Sequence, residues 1–143
     1  MIVCGGEANN SDLNDVWALD LERLIWFKLE LNRYPASQTT GFSSKRFHTV
    51  STMSKNRIVS FGGCHSEYQH LNDVNVFDLG VFVETNGTDC IINCSRVDFS
   101  SGLSTVPSTR WGHAAAVYAD QLYILGGRNN DDINDLHCFD LES

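Results

Sequence analysis

The sequence predicts an all-β fold assembled from repeated antiparallel units. Three observations carry that prediction: a recurring double glycine, a recurring Asn-Asp segment, and apolar runs too brief for helices. The double glycines are Gly5-Gly6, Gly62-Gly63 and Gly126-Gly127, and each closes an apolar run such as Ile58-Val59-Ser60-Phe61 or Leu122-Tyr123-Ile124-Leu125. Short, almost continuously apolar segments bounded by glycine suit strands covered on both faces. Gly-Gly at the strand end allows positive φ or close approach of a neighbouring backbone, which a side chain would obstruct.

A second strand follows each glycine pair: Leu13-Asn14-Asp15-Val16, Leu71-Asn72-Asp73-Val74 and Ile133-Asn134-Asp135-Leu136, ending in Asp20-Leu21, Asp78-Leu79 and Asp140-Leu141. The Asn-Asp pairs are expected to close turns through side-chain hydrogen bonds to nearby amides, and Asp20, Asp78 and Asp140 to do the same for the hairpins that follow. The second and third repeats are preceded by a further strand, beginning at Arg46-Phe47-His48 and Arg110-Trp111-Gly112-His113. The glycine pairs lie roughly 60 residues apart, and most of the length beyond four short strands falls between Gly80 and Pro107. Within that polar stretch Ile91 to Phe99 reads as an outer strand reached by a longer loop.

These segments resemble the kelch repeat family, in phase over nearly the whole chain. The family's paired aromatic positions are met in the first repeat by Leu19 and Trp26. Phe77 and Phe139 hold the first position in the other two, and Glu84 stands where the second Trp of repeat two would fall. The resemblance implies a partial β-propeller of kelch-type four-stranded antiparallel blades, with repeats at about 1–34, 35–105 and 106–143 of one incomplete propeller. The first repeat opens at the second strand of a blade and the third stops after its third strand, so completion is expected from the remaining blades of a longer chain or from a homo-oligomer.

Composition narrows the function. The formal net charge of −8, with ten Lys and Arg against eighteen acids, argues against nucleic acid as a partner. No apolar run approaches a membrane span, and the N-terminus has no signal-peptide pattern. Five cysteines, odd in number and without a Cys-x-x-Cys pair, suggest neither a disulfide framework nor a zinc site and fit a reducing, cytoplasmic location. The Asn-x-Ser/Thr triplets at Asn9, Asn86 and Asn93 occur about as often as chance provides.

Propeller loops between second and third strands gather at one end, where partners bind. They hold Glu7, Asn9 and Asn10; His65, Glu67, Tyr68 and His70; and Arg128, Asn129, Asn130 and Asp131. Tyr68 and Arg128 lead, because Tyr and Arg are enriched among residues that carry interface energy, with His65 and Asn129 beside them. By resemblance to the kelch-like ubiquitin-ligase adaptors, Arg110 and Arg46 are candidates to face the central cavity and pair with an acidic peptide. The alternative is structural pairing with an acid of an adjacent blade. His48 and His113 occupy equivalent positions and are read as fold requirements, not as metal ligands.

The expected function is a protein-protein interaction module without cofactor or metal, presenting loops to a protein or peptide, such as an adaptor in trafficking, cell polarity or ubiquitin ligation. The alternative is a kelch-propeller enzyme resembling galactose oxidase or the sialic-acid mutarotases. Against it, the sequence shows no triad or nucleophile elbow.

Overall fold

The computed structural model describes residues 1–33, 42–66, 69–85, 89–97 and 106–141. Among the described residues ten strands form three blades. Blade 1 comprises β1 (Ile2–Ala8), β2 (Ser11–Asp20) and β3 (Ile25–Arg33). Blade 2 comprises β4 (Thr49–Met53), β5 (Arg57–His65), β6 (Gln69–Thr85) and β7 (Asp89–Arg96); blade 3 comprises β8 (Ala114–Tyr118), β9 (Gln121–Arg128) and β10 (Asp132–Asp140). The fold is part of an antiparallel propeller, as the repeats imply, and blades 1 and 3 each hold three strands among the described residues.

Within each blade the strands are antiparallel. Between blades 1 and 2 the outer strands β3 and β7 also pair, in parallel from Lys28 opposite Asp89 to Arg33 opposite Cys94. Blades 1 and 2 thereby become one seven-stranded sheet, while blade 3 stands as a separate three-stranded sheet.

The paired aromatic positions of repeat 1 face each other across a hairpin, Leu19 opposite Trp26. In blade 2 the residue opposite Phe77 is Cys94 rather than Glu84, because β6 runs on to Thr85 before β7 returns. The outer strand read from Ile91 to Phe99 is β7, which starts two residues earlier, at Asp89, and ends at Arg96.

Two clusters fill the blade interfaces. Val16, Leu29, Phe42, Ile58, Phe77, Cys90, Ile92 and Cys94 pack between blades 1 and 2. Val59, Phe61, Val74, Leu122, Ile124 and Phe139 pack between blades 2 and 3. Strand alternation sends Ile58 to one interface and Val59 to the other, which is why β5 is buried from Ile58 to Cys64.

Candidate interaction surface and the joints beneath it

The Asn-Asp pairs do not form turns. They lie inside β2, β6 and β10 at a β-bulge, where two residues oppose one. Phe61 pairs Val74 and Gly63 pairs Leu71, so Asn72 and Asp73 together oppose Gly62. Asn14-Asp15 oppose Gly5, and Asn134-Asp135 oppose Gly126, in the same way. The glycine at each bulge has φ of 56°, 60° and 62° in the three blades, the left-handed region that disfavours a side chain. By contrast, Asp20 accepts hydrogen bonds from the Glu22 and Arg23 amides and Asp78 from the Gly80 amide, the turn-closing role the sequence suggested.

The bulge aims its aspartate at a buried base. Lys45 Nζ donates to Asp73 Oδ2 at 2.7 Å, and Asn75 Nδ2 donates to the same oxygen. The Arg110 guanidinium grips both oxygens of Asp135, with Nη2 to Oδ2 at 3.0 Å, and donates further to the Ser108 and Gly126 carbonyls. Lys45 and Arg110 are fully buried. Each also ties its blade to the preceding one through its backbone: Lys45 N–H donates to Leu13 O and Gly6 N–H to Lys45 O, while Arg110 N–H donates to Leu71 O and Gly63 N–H to Arg110 O.

Arg110 is therefore turned into the protein. With no exposed surface and its donors engaged, it acts as the structural pair, and the acid it meets belongs to its own blade. Its counterpart in blade 2 is Lys45, not Arg46. Arg46 instead matches Trp111, since Arg46 exchanges backbone hydrogen bonds with Cys64 as Trp111 does with Arg128. Counting three residues back from His48 and His113 finds this register in the sequence.

Each histidine is clamped between two double glycines. His113 Cε1 lies 3.1 Å from where a Cβ on Gly62 of blade 2 would sit, and His113 Cβ lies 2.9 Å from that position on Gly127. His48 stands likewise between Gly5 and Gly63. Burial pushes the pKa of both imidazoles down to about 4, so they are neutral near pH 7. Among the described residues no group of three or more His, Cys, Asp or Glu could hold a metal ion.

Above these joints lies a surface stripe. Arg46 pairs with Glu7 at 2.8 Å and faces Asp12 at 3.6 Å, beside an open cleft of about 820 Å³ lined by Glu7, Asp12, Arg46, Phe47, His65 and Ser66. The Arg46 guanidinium sits over Phe47, whose ring is 5.5 Å from Trp111, which in turn lies under Arg128. Arg128 pairs with Asp132. The stripe thus sets two adjacent rings between two ion pairs across all three blades, and Phe47 is 56% exposed.

His65 meets Ser44 and Asp12 at the cleft wall. Asn129 stands at the turn between β9 and β10, where its Oδ1 accepts the Asn130 and Asp131 amides. Tyr68, and Glu67 beside it, lie outside the described residues. Sequence reasoning passed over Phe47 and Trp111 as surface residues. The available signal was Phe47 standing where repeat 3 has Gly112: both adopt positive φ, 56° and 62°, which a bulky residue takes only under constraint.

The glycine–histidine clamps, bulges and buried ion pairs define stacked blades of the kelch propeller class. The chain belongs to the kelch-repeat family: the family model described as the KLHDC2/KLHL20/DRC7 Kelch-repeats domain matches residues 1–143. The chain is also similar to Tip elongation aberrant protein 1 of Schizosaccharomyces pombe, at 32% identity over 143 residues, 96% of this chain and 11% of that protein. The chain thus spans a small part of that relative's length. Kelch domains of this kind serve in general as protein-interaction scaffolds.

Proposed function

We propose that the chain is a protein-binding scaffold whose contact surface is the stripe from Glu7 to Arg128. The observation that carries this reading is the exposed Phe47 ring, packed against the half-buried Trp111 and flanked by Arg46 and Arg128. Aromatic and arginine side chains supply most of the energy at interface centres, and here their ion pairs hold them in place before a partner arrives. The partner we propose is a cytoplasmic protein or peptide that sets an apolar side chain on the rings and a carboxylate against Arg128, which at 55% side-chain exposure is the more accessible arginine. Among adaptor roles the reading favours cell polarity over trafficking or ubiquitin ligation, because the similar protein is named for tip elongation.

The test is quantitative affinity capture with the wild-type chain, Phe47→Ser, Arg128→Glu and the remote control Lys55→Glu. Partners lost with both stripe variants and kept by the control support the proposal. Partners kept by all four overturn it.

A further inference from the structure

The two arginines of the stripe are not equivalent. Arg128 answers one well-exposed acid, Asp132. Arg46 is shared between two, with Nη1 on Glu7 Oε2 at 2.8 Å and Nε facing Asp12 Oδ1 at 3.6 Å. With histidine neutral at pH 7, the charged groups among the described residues lining the cleft are Glu7, Asp12 and Arg46, so one negative charge is left over. That charge sits where water screens it poorly. The Asp12 side chain is 6% exposed, its Oδ2 accepts the Ser66 amide at 2.7 Å, and its Oδ1 has no hydrogen-bond partner among the described residues. A carboxylate in a low-dielectric wall focuses its field into the adjoining cleft. Glu7, partly exposed, brings a second carboxylate to the same wall. Blade 1 supplies Glu7 and Asp12, and blade 2 supplies Arg46, Phe47, His65 and Ser66, so the cleft lies inside the blade stack.

We infer that this cleft is the subsite for a lysine or arginine of the partner peptide. The inference rests on the stripe being the contact surface and adds what the partner carries at its blade 1 end. The acidic group expected at Arg46 is thereby replaced by a basic one, because a carboxylate brought to Arg46 would meet the like charges of Glu7 and Asp12. An ammonium or guanidinium has only donors to offer, and the two carboxylates keep acceptor capacity beyond what Arg46 uses. Phe47 lines the same cleft, with its ring 5.7 Å from the Arg46 guanidinium. The base and the apolar side chain seated on that ring therefore belong on one face of an extended segment, where side chains two residues apart repeat at about 6.6 Å. With a carboxylate at Arg128, the ligand carries base, apolar group and acid in the order of the stripe.

The probe is a random dodecapeptide phage library panned on the immobilised 143-residue chain. Enriched sequences are expected to carry Lys or Arg two residues from an apolar side chain. Panning on Asp12→Asn, whose amide oxygen still accepts the Ser66 N–H, should abolish the preference for the base and keep the apolar residue. Panning on Glu22→Gln, which removes the same charge at the turn between β2 and β3, should alter neither. The most enriched peptide, synthesised with a fluorescein label and followed by anisotropy, should bind about tenfold more weakly when its base is replaced by Gln. Asp12→Asn should weaken the parent peptide by a similar factor and leave the affinity of the Gln peptide unchanged, with circular dichroism of the chain unaltered. Peptides that need Phe47 yet carry no base, or whose base is indifferent to Asp12→Asn, overturn this inference and leave the stripe standing. Peptides indifferent to Phe47→Ser, or no enrichment at all, overturn the stripe and this inference with it.

Discussion

At the joint between blades 1 and 2, a lysine reaches an aspartate whose side chain is 8% exposed; between blades 2 and 3, an arginine reaches one that is 42% exposed. The Lys45 ammonium donates to one oxygen of Asp73 and lies over the Phe42 ring, and Oδ1 of Asp73 has no hydrogen-bond partner. Arg110 makes a two-pronged grip and adds backbone carbonyls and the Ser108 hydroxyl. Burial pulls the Lys45 pKa down against the opposing pull of Asp73, whereas the Arg110 hydrogen bonds hold Asp135 at about 2. Two joints of one plan therefore fail differently, because breaking the first strands a charge away from water and breaking the second does not.

The largest expected effect tests that difference directly. Lys45→Met leaves Asp73 buried without its counter-charge and should cost about 3–5 kcal/mol of unfolding free energy in urea titration. Adding Asp73→Asn should recover much of it, since the stranded charge is then gone. Arg110→Met should cost less, about 1.5–3 kcal/mol, because Asp135 can be hydrated. Equal losses from Lys45→Met and Arg110→Met would refute the contrast.

Acid separates the joints further. His48 and His113 have folded pKa values depressed to about 4 from 6.5, so the unfolded chain binds more protons. Their contribution is complete above pH 6.5 and is lost as pH falls to 4, which loosens both joints. Asp135, depressed from 3.8 to about 2, contributes stability that is lost only between those values, and at the second joint alone. Denaturation midpoints measured from pH 7 to pH 3 should fall first between 6.5 and 4, and His113→Gln should reduce that slope.

The smallest effects concern the positive-φ pair. Gly112→Ala should cost about 1 kcal/mol for the left-handed backbone it keeps. Phe47→Gly should change thermal stability little, because relief of the same strain offsets the lost ring contact with Trp111, which is of similar size.

Much of the fold was legible because the determinants are local. The glycine pairs, the apolar runs and the turn-closing Asp20 and Asp78 act within a few residues of themselves, and a repeat presents them three times. The candidate surface was legible only in part. His65, Arg128 and Asn129 lie at the blade ends as their loops imply, but Arg46, Phe47 and Trp111 read as strand residues until the blades are stacked.

By itself the sequence determined the number of repeats, the strand order within each and the places where glycine is required, since these follow from local sterics and the spacing of apolar residues. Tertiary structure alone decided that the Asn-Asp motif is an ion-pair anchor, because its bases lie 28 and 25 residues away and meet it only when the first strand of the blade is laid down. It also decided which arginine is buried and that β3 and β7 join two blades into one sheet. Strand pairing between distant segments depends on the register and shape of the packed blades, and neither quantity is written in any single repeat.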